Sequence, residues 1–322
     1  MGGYMLYFIV NEKSKSGNAK QIWKEIEEVL KVRNVSYQAF VSEYRGHAGK
    51  LAAEICAMDD NDICLVAVGG DGTANEVING ITDFEKVRFG VIPTGSGNDL
   101  ARGLLLSKDP KNGAIHILNA MKKSREDTWC MDLGEVNFGE EKRLFAISAG
   151  IGLDALVCKK ALKSTIKDIL NKIRLGKLTY LVLTVQSLFT MQTADAEIFF
   201  DREEGLQKKR MIFTAAMNFK AEGGGVPMAP AASACDGKLS FCEAAGIPKW
   251  RTFLCLPFLV AAKHTSIHGF SVTDAKDCTI RLSRPMVVHA DGEYCGEVTE
   301  VHLLSAGKTS RVKIMKLRTL PS

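Results

Sequence analysis

Three continuous apolar runs in the first third of the chain limit its fold more than any other feature. They are YMLYFIV (4–10), DICLVAVGG (62–70) and VRFGVIPT (87–94). Runs of this kind are typical of strands buried on both faces of a parallel sheet. Segments with helical spacing separate them, at 18–33, at 47–59 and from 73 to 80, and a strand pattern covers 35–42. The alternation predicts a parallel sheet with right-handed crossovers, whose ligands bind beyond the carboxyl ends of the strands.

The pattern changes after about residue 127, where short strand-like segments replace the alternation. Because 322 residues exceed one ordinary core, two domains are expected, 1–127 and 128–308. The second is predicted to be an antiparallel sandwich or barrel-like domain with a helical insertion near 155–192. A final strand near 310–318 is expected to return to the first domain. Strands predicted in the second domain include 128–138, 142–150, 209–219, 278–283 and 286–293.

The composition limits the kinds of molecule that the chain is expected to bind. Charged residues make up 25% and the net charge is +5, which suits an anionic substrate or membrane surface and is too weak to indicate nucleic acid. The nine cysteines include no CxxC pair, as expected for reduced thiols in the cytoplasm. The longest apolar candidate, 252–262, is too short to span a bilayer and contains Pro257. Contact with a membrane surface remains open.

The sequence GGDGT follows the second apolar run. Gly69, Gly70 and Gly72 allow sharp bends or a close approach of the backbone to a ligand. The next helix is predicted to start near Thr73, so its first N–H groups would point at the loop and form an anion site. The alternative is a plain strand-to-helix turn in which Asp71 acts as a cap. The spacing matches neither the dinucleotide GxGxxG pattern nor the Walker loop.

A second loop of the same kind, VIPTGSGNDLAR (91–102), follows the third apolar run. Ser96 and the two flanking glycines offer donors to a phosphate. Asn98 or Asp99 is predicted to cap the following helix. Two such loops on neighbouring strand ends favour a phosphate site over two unrelated turns.

Five segments, taken in order, resemble the bacterial diacylglycerol kinase and lipid kinase family, and the resemblance covers essentially the whole chain. They are GGDGTANEVINGI, IPTGSGNDLARGL, FAISAGIGLDALV (145–157), CDGKLSFCEA (235–244) and HADGE (289–293). NAD kinases share GGDG but not the second motif in this form. The resemblance implies an N-terminal three-layer α/β domain, Rossmann-like and NAD-kinase-like, and a C-terminal antiparallel β-sandwich domain.

The resemblance also implies ATP and Mg²⁺ as cofactors. Asp71 would lie near the metal or the phosphates. The positions implied to contact ATP are Asn11, Ser16, Gly17, Ser42, Gly69, Gly70, Asp71, Gly72, Thr73, Asn75, Glu76, Thr94, Gly95, Ser96, Asn98 and Asp99. Family members usually carry NPxSG after the first strand, whereas this chain has the longer NEKSKSG, with Glu12 in place of proline. A different nucleotide affinity is therefore expected.

The resemblance assigns the remaining chemistry to the second domain. Asp291 and Glu293 would face the nucleotide across an interdomain cleft, and Glu293 would accept the proton of the lipid hydroxyl. Gly292 predicts a turn at this point, and an Asp-Gly hairpin turn alone would also explain the motif. The carboxylate of Asp236, with the backbone carbonyls of Ser233 and Lys238, would bind a structural magnesium.

Several other segments have simpler interpretations. The six histidines show no metal-ligand spacing and are assigned to the surface or the core; they are His47, His116, His264, His268, His289 and His302. The basic segment 159–177 favours a solvated helix over a membrane-surface helix. The glycine-rich segment 221–230 predicts a flexible connection. The segment 250–264 fits either the lipid entrance or a core helix kinked at Pro257.

The resemblance, together with these features, implies a two-domain phosphotransferase that acts on a lipid hydroxyl, most directly converting diacylglycerol to phosphatidic acid in phospholipid metabolism. The protein is expected to be cytoplasmic and peripherally membrane-associated, with a lipid substrate presented at the membrane surface and no nucleic-acid partner. A homodimer is compatible with the sequence. The alternatives are a kinase for phosphatidylglycerol or a sphingoid base, an NAD kinase, and a nucleotide-binding regulator without activity.

Overall fold

The computed structural model describes residues 5–14, 19–124, 128–163, 176–307 and 310–316. The chain forms two compact units. The first comprises Met1–Asp132 and Gly307–Ser322, and the second comprises Leu133–Ala306. The first unit therefore continues past residue 127 and receives the chain again after the second unit is complete.

The first unit is a sheet with helices on both faces. Its strands are β1 (Met5–Val10), β2 (Tyr37–Val41), β3 (Ile63–Gly69), β4 (Val87–Pro93), β5 (Trp129–Met131) and β16 (Val312–Ile314). Its helices are α1 (Ala19–Val32), α2 (His47–Cys56), α3 (Asp71–Gly80), α4 (Asp99–Gly103) and α5 (Pro110–Met121). The strand order is β2-β1-β3-β4-β16-β5, and every pair is parallel except β16 with β5. The predicted parallel sheet is confirmed.

The apolar runs form strands because both faces of this sheet are covered. Every residue of β3 and β4 is buried. On one face, Phe8 of β1 packs with Trp23 of α1 in a cluster that also includes Ile117 of α5. On the other face, α2 packs against α3 and β1. Each large side chain buried in this way contributes roughly 1.5–3 kcal/mol to folding.

One cation lies inside this apolar sheet. The side chain of Arg88 on β4 is fully buried. Its Nε and Nη2 donate to the two carboxylate oxygens of Asp62 at 3.0 and 2.9 Å, and its Nη1 donates to the carbonyl of Met121 at 3.1 Å. The bidentate partner compensates for the loss of hydration of the guanidinium, which otherwise makes a buried charge costly.

The second unit is built on one antiparallel sheet of ten strands. The strands are β6 (Gly134–Phe138), β7 (Glu141–Phe145), β8 (Ser148–Gly152), β9 (Ala194–Phe200), β10 (Leu206–Met211), β11 (Phe213–Met217), β12 (Leu239–Ala244), β13 (Phe270–Ala275), β14 (Asp277–Ala290) and β15 (Glu293–Ser305). Its described helices include α6 (Leu153–Lys163), α7 (Gly176–Thr190) and α8 (Lys249–Val260). The main order is β13-β12-β11-β8-β14-β15-β6-β7, with β9 joining β14 and β10 joining β9. An antiparallel second domain is confirmed.

Five predicted strand segments differ from the structure. The segment 142–150 is divided into β7 and β8, since residues 146–147 lie outside both strands. Residues 128–138 do not form one strand, because β5 pairs with β16 in the first unit and only β6 belongs to the second. The segment 209–219 is divided at Ile212 into β10 and β11. The segments 278–283 and 286–290 form one strand, β14, which shifts register between Arg281 and Met286 and ends at Ala290. Residues 291–293 of the predicted strand form the turn and the start of β15.

Helices of the second unit occupy the predicted insertion and the segment after residue 248. The part of segment 159–177 that would carry its apolar stripe lies outside the described residues. Pro257 lies inside α8. Across the ranges that the structure describes, no helix combines the length and the apolar content needed to cross a membrane.

Candidate active site

The ends of four neighbouring strands meet at one edge of the first sheet. Backbone hydrogen bonds continue the pairing past the strand ends: Asn11 N donates to Val68 O at 2.9 Å, and Ser42 N donates to Val10 O at 2.8 Å. Thr94 N donates to Gly69 O, also at 2.8 Å. Parallel strands present their carboxyl ends at the same edge of a sheet. The predicted site residues that follow β1, β2, β3 and β4 are therefore held next to one another at this edge.

The two glycine-rich loops touch through their backbones. A Cβ built on Gly95 would lie 2.7 Å from the Cα of Gly70, and one built on Gly70 would lie 3.3 Å from the Cα of Gly95. A side chain at Gly95 would therefore push the loops apart. Glycine is required at this contact because the two backbones approach too closely to leave room for a Cβ.

Asp71 joins the two loops. Its Oδ2 accepts a hydrogen bond from Asp99 N, and its Oδ1 accepts one from Leu100 N, each at 3.0 Å. These are the first amides of α4, so Asp71 satisfies the start of the neighbouring loop's helix rather than that of its own helix α3. The carboxylate thus fixes the second loop against the first.

The predicted capping of α4 by Asn98 or Asp99 is wrong. Asn98 is the residue before the helix, but its backbone is left-handed with φ 54° and its side chain does not cap the helix. Instead its Oδ1 accepts from Gly95 N and its Nδ2 donates to Gly95 O, both at 2.9 Å, which closes the loop. The carboxylate of Asp99 pairs with Arg102. Asp71 takes the capping role because these two side chains are already engaged.

The loop after β1 is tied to both glycine-rich loops. Asn11 Nδ2 donates to Thr73 Oγ1 at 3.0 Å, and the hydroxyls of Ser14 and Thr94 are 2.6 Å apart. Ser14 was not predicted, although it belongs to the NEKSKSG segment that differs from the usual family loop. The predicted positions Ser16 and Gly17 lie outside the described residues.

The remaining positions predicted to contact the nucleotide fall into two groups: residues that support the loops and residues that are exposed. The side chains of Ser42 and Asn75 are buried. Glu76 Oε1 accepts a hydrogen bond from Gly46 N at 2.8 Å, which connects α3 to the start of α2. Gly72 lies in the first turn of α3, and Ser96 is exposed at the tip of the second loop. Ser96 is therefore accessible to a ligand, whereas the buried side chains of Ser42 and Asn75 support the loops.

In the second unit, the HADGE motif forms a hairpin. Asp291 and Gly292 have φ angles of 48° and 82° and connect β14 to β15, with Ala290 paired to Glu293. Two central residues with positive φ define a tight turn that favours Asp-Gly. The turn predicted from Gly292 is confirmed.

The two carboxylates beside this turn have different surroundings. Asp291 is 8% exposed, and its oxygens accept hydrogen bonds from three backbone amides: Ala146 at 2.8 Å, Ile147 at 2.7 Å and Ser148 at 3.1 Å. It therefore anchors the segment between β7 and β8. Glu293 is only partly buried. Of the two, Glu293 is the more accessible to a substrate.

His289, which was assigned to the surface or the core, links the turn to the body of the second unit. Its side chain is 2% exposed. Gly292 N donates to its Nδ1 at 3.2 Å, and its Nε2 lies 3.1 Å from Asp154 Oδ2. An Nδ1 that accepts an N–H places the ring proton on Nε2, which then donates to Asp154. Both nitrogens of the neutral ring are thus satisfied.

A glycine makes room for this pair. Gly150 on β8 is the register partner of His289 on β14. A Cβ at Gly150 would lie 1.7 Å from Asp154 Oδ2 and 2.9 Å from His289 Nε2. Any side chain at this position would therefore displace the contact between His289 and Asp154.

Glu222 completes the cluster. One ligand atom from each of Asp154, Glu222 and His289 lies within 4.8 Å of the others, and Ser148 Oγ donates to the Glu222 carboxylate. The segment 221–230, which was predicted to be a flexible connection, thus contributes the carboxylate of Glu222 to the cluster. Burial lowers the pKa of His289, but the hydrogen bond and charge of Asp154 and the charges of Glu222 and Asp291 outweigh it, so the pKa is raised.

The side chains of Asp154, Glu222 and His289 are of types that bind cations, but the hydrogen bonds of His289 favour an arrangement without a metal. A metal bound to Nε2 would move the ring proton to Nδ1. That proton would face the N–H of Gly292, which now donates to Nδ1. The arrangement is therefore better suited to fixing the hairpin than to coordinating a metal. No local sequence pattern identified the cluster, because its members are far apart in the chain.

The predicted magnesium loop is an exposed turn before β12. Lys238 N donates to Asp236 Oδ1 at 3.0 Å, and Gly237 between them has a φ of 75°. Ser233, Asp236 and Lys238 are all exposed. The loop thus offers oxygen ligands close to the surface of the second unit.

Two family models match the chain. The diacylglycerol kinase catalytic domain matches residues 5–131, and the YegS C-terminal NAD kinase beta sandwich-like domain matches residues 148–310. The matches correspond closely to the two compact units.

Curated relatives agree with these models. The chain is 30% identical to the Bacillus subtilis protein named "Putative lipid kinase YtlR", over 95% of this chain and 98% of the relative. It is 28% identical to a diacylglycerol kinase of Bacillus subtilis, over 76% of this chain and 75% of that protein.

Solved structures support the fold. A diacylglycerol kinase from Bacillus anthracis has a TM-score of 0.67 at 17% identity, and covers 98% of this chain and 97% of its own. An NAD kinase from Archaeoglobus fulgidus, solved in complex with ATP, has a TM-score of 0.51 at 13% identity over 96% of this chain and 93% of its own. The domain models and the curated relatives lead to one assignment. The chain belongs to the diacylglycerol kinase and lipid kinase family of phosphotransferases.

Proposed function

We propose that this chain transfers the γ-phosphate of ATP to the hydroxyl of diacylglycerol and so produces phosphatidic acid. The single observation that carries the proposal is the paired loop structure in the first unit, in which Gly70 and Gly95 meet and Asp71 holds the second loop. Such an arrangement suits a polyanion, because two adjoining glycine-rich loops at the start of helices can direct backbone N–H groups at it.

The nucleotide phosphates would bind along these loops. Helix α3 starts at Asp71, directly after Gly70, which has no side chain to cap it. Its first N–H groups are therefore suited to a phosphate. Ser96, exposed at the tip of the second loop, would supply a hydroxyl donor. Phosphoryl transfer depends mainly on such positioning and on neutralisation of charge.

The proton of the attacking hydroxyl would be taken by Glu293. A general base needs a lone pair that the substrate can reach. Glu293 is partly exposed, whereas the carboxylate of Asp291 already accepts three backbone N–H groups. Asp291 is therefore assigned to holding the turn in place, and Glu293 to the reaction.

Magnesium would enter in two ways. It would accompany ATP and neutralise charge on the transferred phosphoryl group. A second ion would bind the turn before β12 through the Asp236 carboxylate and the carbonyls of Ser233 and Lys238. That donor set consists of oxygen atoms, which Mg²⁺ and Ca²⁺ prefer, and Asp236 is exposed beside Gly237. The residues thus fit a hard cation.

The test is phosphate transfer from labelled ATP with magnesium to diacylglycerol in mixed micelles. Phosphatidylglycerol, sphingosine and NAD are offered in parallel, and Glu293→Gln serves as the inactive control. We expect label in phosphatidic acid with the native protein only. Transfer to NAD alone would contradict the proposal, and transfer to another lipid would correct the substrate while keeping the lipid kinase assignment. ATP binding without transfer to any acceptor would favour a regulatory role.

A further inference from the structure

The outward side of helix α8 is apolar. Thr252, Cys255 and Leu259 face the core of the second unit. The opposite side exposes large apolar side chains, with exposed fractions of 60% for Trp250, 40% for Phe253, 56% for Leu254 and 49% for Phe258. Their spacing places them on one face of the helix. A surface helix normally carries polar residues there, as α1 does with Lys20, Lys24 and Lys31.

Helix α7 extends this apolar surface. Leu181, Val182 and Phe189 are each about half exposed, at 51%, 50% and 51%. The rings of Phe189 and Phe253 are 5.9 Å apart, and Lys249 Nζ donates to the carbonyl of Met191 just after α7. We name these seven side chains of α7 and α8 the α7–α8 face. A cluster of this kind on one side of a soluble unit indicates an interaction surface.

The charged residues of the two segments that carry the α7–α8 face have one sign. Neither 176–194 nor 249–273 contains an aspartate or glutamate. The exposed side chains of Arg251 and Lys263 are basic. Apolar side chains that include tryptophan and phenylalanine, flanked by arginine and lysine, suit the boundary between acyl chains and anionic headgroups.

We propose that the α7–α8 face docks on an anionic lipid bilayer. The apolar side chains would enter the boundary region, and Arg251 and Lys263 would contact the headgroups. The inference goes beyond the proposed reaction, because it concerns where the protein binds and does not depend on which hydroxyl is phosphorylated.

The experiment measures co-sedimentation with vesicles of phosphatidylcholine, with and without phosphatidylglycerol, in the absence of ATP. The test variant is Leu254→Glu/Phe258→Glu, and the matched control is Leu206→Glu, which changes another exposed leucine of the second unit. We expect the test variant to lose at least tenfold in binding to anionic vesicles and the control to bind like the native protein. Arg251→Gln/Lys263→Gln should weaken binding about fivefold per charge, only with phosphatidylglycerol.

Two further measurements distinguish a loss of vesicle binding from unfolding and from a change in oligomeric state. Circular dichroism verifies that the variants are folded, and sedimentation velocity reports their oligomeric state. Undiminished vesicle binding by Leu254→Glu/Phe258→Glu would overturn the proposal. A change from dimer to monomer in that variant, with vesicle binding intact, would assign the face to a second copy of the chain and would also overturn it. Because no turnover is measured, failure of the kinase proposal would leave this test unaffected.

Discussion

His289 donates from Nε2 to the carboxylate of Asp154 while its Nδ1 accepts the N–H of Gly292. A buried imidazole thus connects helix α6 to the turn that precedes Glu293. Since Glu293 is the proposed proton acceptor, the position of this turn matters for catalysis. A displacement of about 1 Å can reduce turnover roughly 100-fold.

The first prediction separates the two hydrogen bonds of His289. His289→Leu removes both and should lower kcat about 10- to 100-fold with a small change in KM. His289→Asn keeps an acceptor near the position of Nδ1 and should recover most of the activity. The measurement is steady-state kinetics with diacylglycerol micelles. Equal losses in both variants would argue against positioning through Gly292.

A pH profile of the same protein gives a second test. Protonated Nδ1 cannot accept the Gly292 N–H, so kcat/KM should fall as pH decreases through the raised pKa of His289. Stability should change in the opposite direction. Because the folded pKa is raised by Asp154, Glu222 and Asp291, the contribution is fully present below the unfolded value of about 6.5 and is lost as pH rises through the folded pKa.

The pH prediction has its control in His289→Asn. This variant lacks the titrating group, so the acidic fall of kcat/KM and the linked change in urea stability should both disappear. If the acidic fall persisted unchanged in His289→Asn, the group responsible would be another one. Gly150→Ala, which intrudes on the contact between His289 and Asp154, should instead lower activity over the whole pH range.

Asp71 is predicted to matter for structure and turnover together. Asp71→Asn retains one acceptor oxygen but directs an amide NH₂ at an amide of α4, where the native carboxylate accepts from both Asp99 N and Leu100 N. We expect a loss of about 1–2 kcal/mol in stability and at least a 100-fold loss in kcat. Urea unfolding and label transfer measure the two effects. Near-normal turnover would remove Asp71 from the phosphate site.

The carboxylates beside the hairpin turn should respond differently to neutralisation. Glu293→Gln should lower kcat by about 100- to 10,000-fold and leave unfolding nearly unchanged, since it removes a general base from a partly exposed position. Asp291→Asn should destabilise the protein by about 1–3 kcal/mol, because its carboxylate binds three backbone amides. The reverse pattern would exchange the two assignments.

The buried Arg88 gives a stability prediction that is independent of function. Asp62→Ala leaves the guanidinium without its carboxylate and should cost about 3–5 kcal/mol. Glu300→Ala, which breaks the exposed pair with Arg281 at 57% and 59% side-chain exposure, should cost less than about 1 kcal/mol. Urea unfolding compares the two. Similar losses would mean that water reaches Arg88.

The sequence predicted the first sheet well because its strands are apolar on both faces, and such runs carry a strong local signal. It failed for β5, since Trp129–Met131 looks like any short strand and only the pairing with β16 places it in the first unit. The position of a short strand depends on partners far along the chain, which periodicity does not report.

In the candidate site, too, local features were predicted from the sequence and contacts between distant segments were missed. The glycines of the two loops were found because they are local signals for close approach. The cap that Asp71 gives to α4, and the cluster of Asp154, Glu222 and His289, were missed because they join segments whose proximity is set by strand order and register. Side-chain contacts of this type become visible only once the sheet pairing is known.

The return of β16 to the first sheet has a consequence for synthesis of the protein. Strand β4 acquires its outer neighbour, and β5 its partner, only when residues 312–314 have left the ribosome. Domains usually fold in the order in which they are made. Here the first unit keeps an open strand edge while the whole second unit is translated, so the nascent chain is exposed to pairing with other strands until β16 arrives.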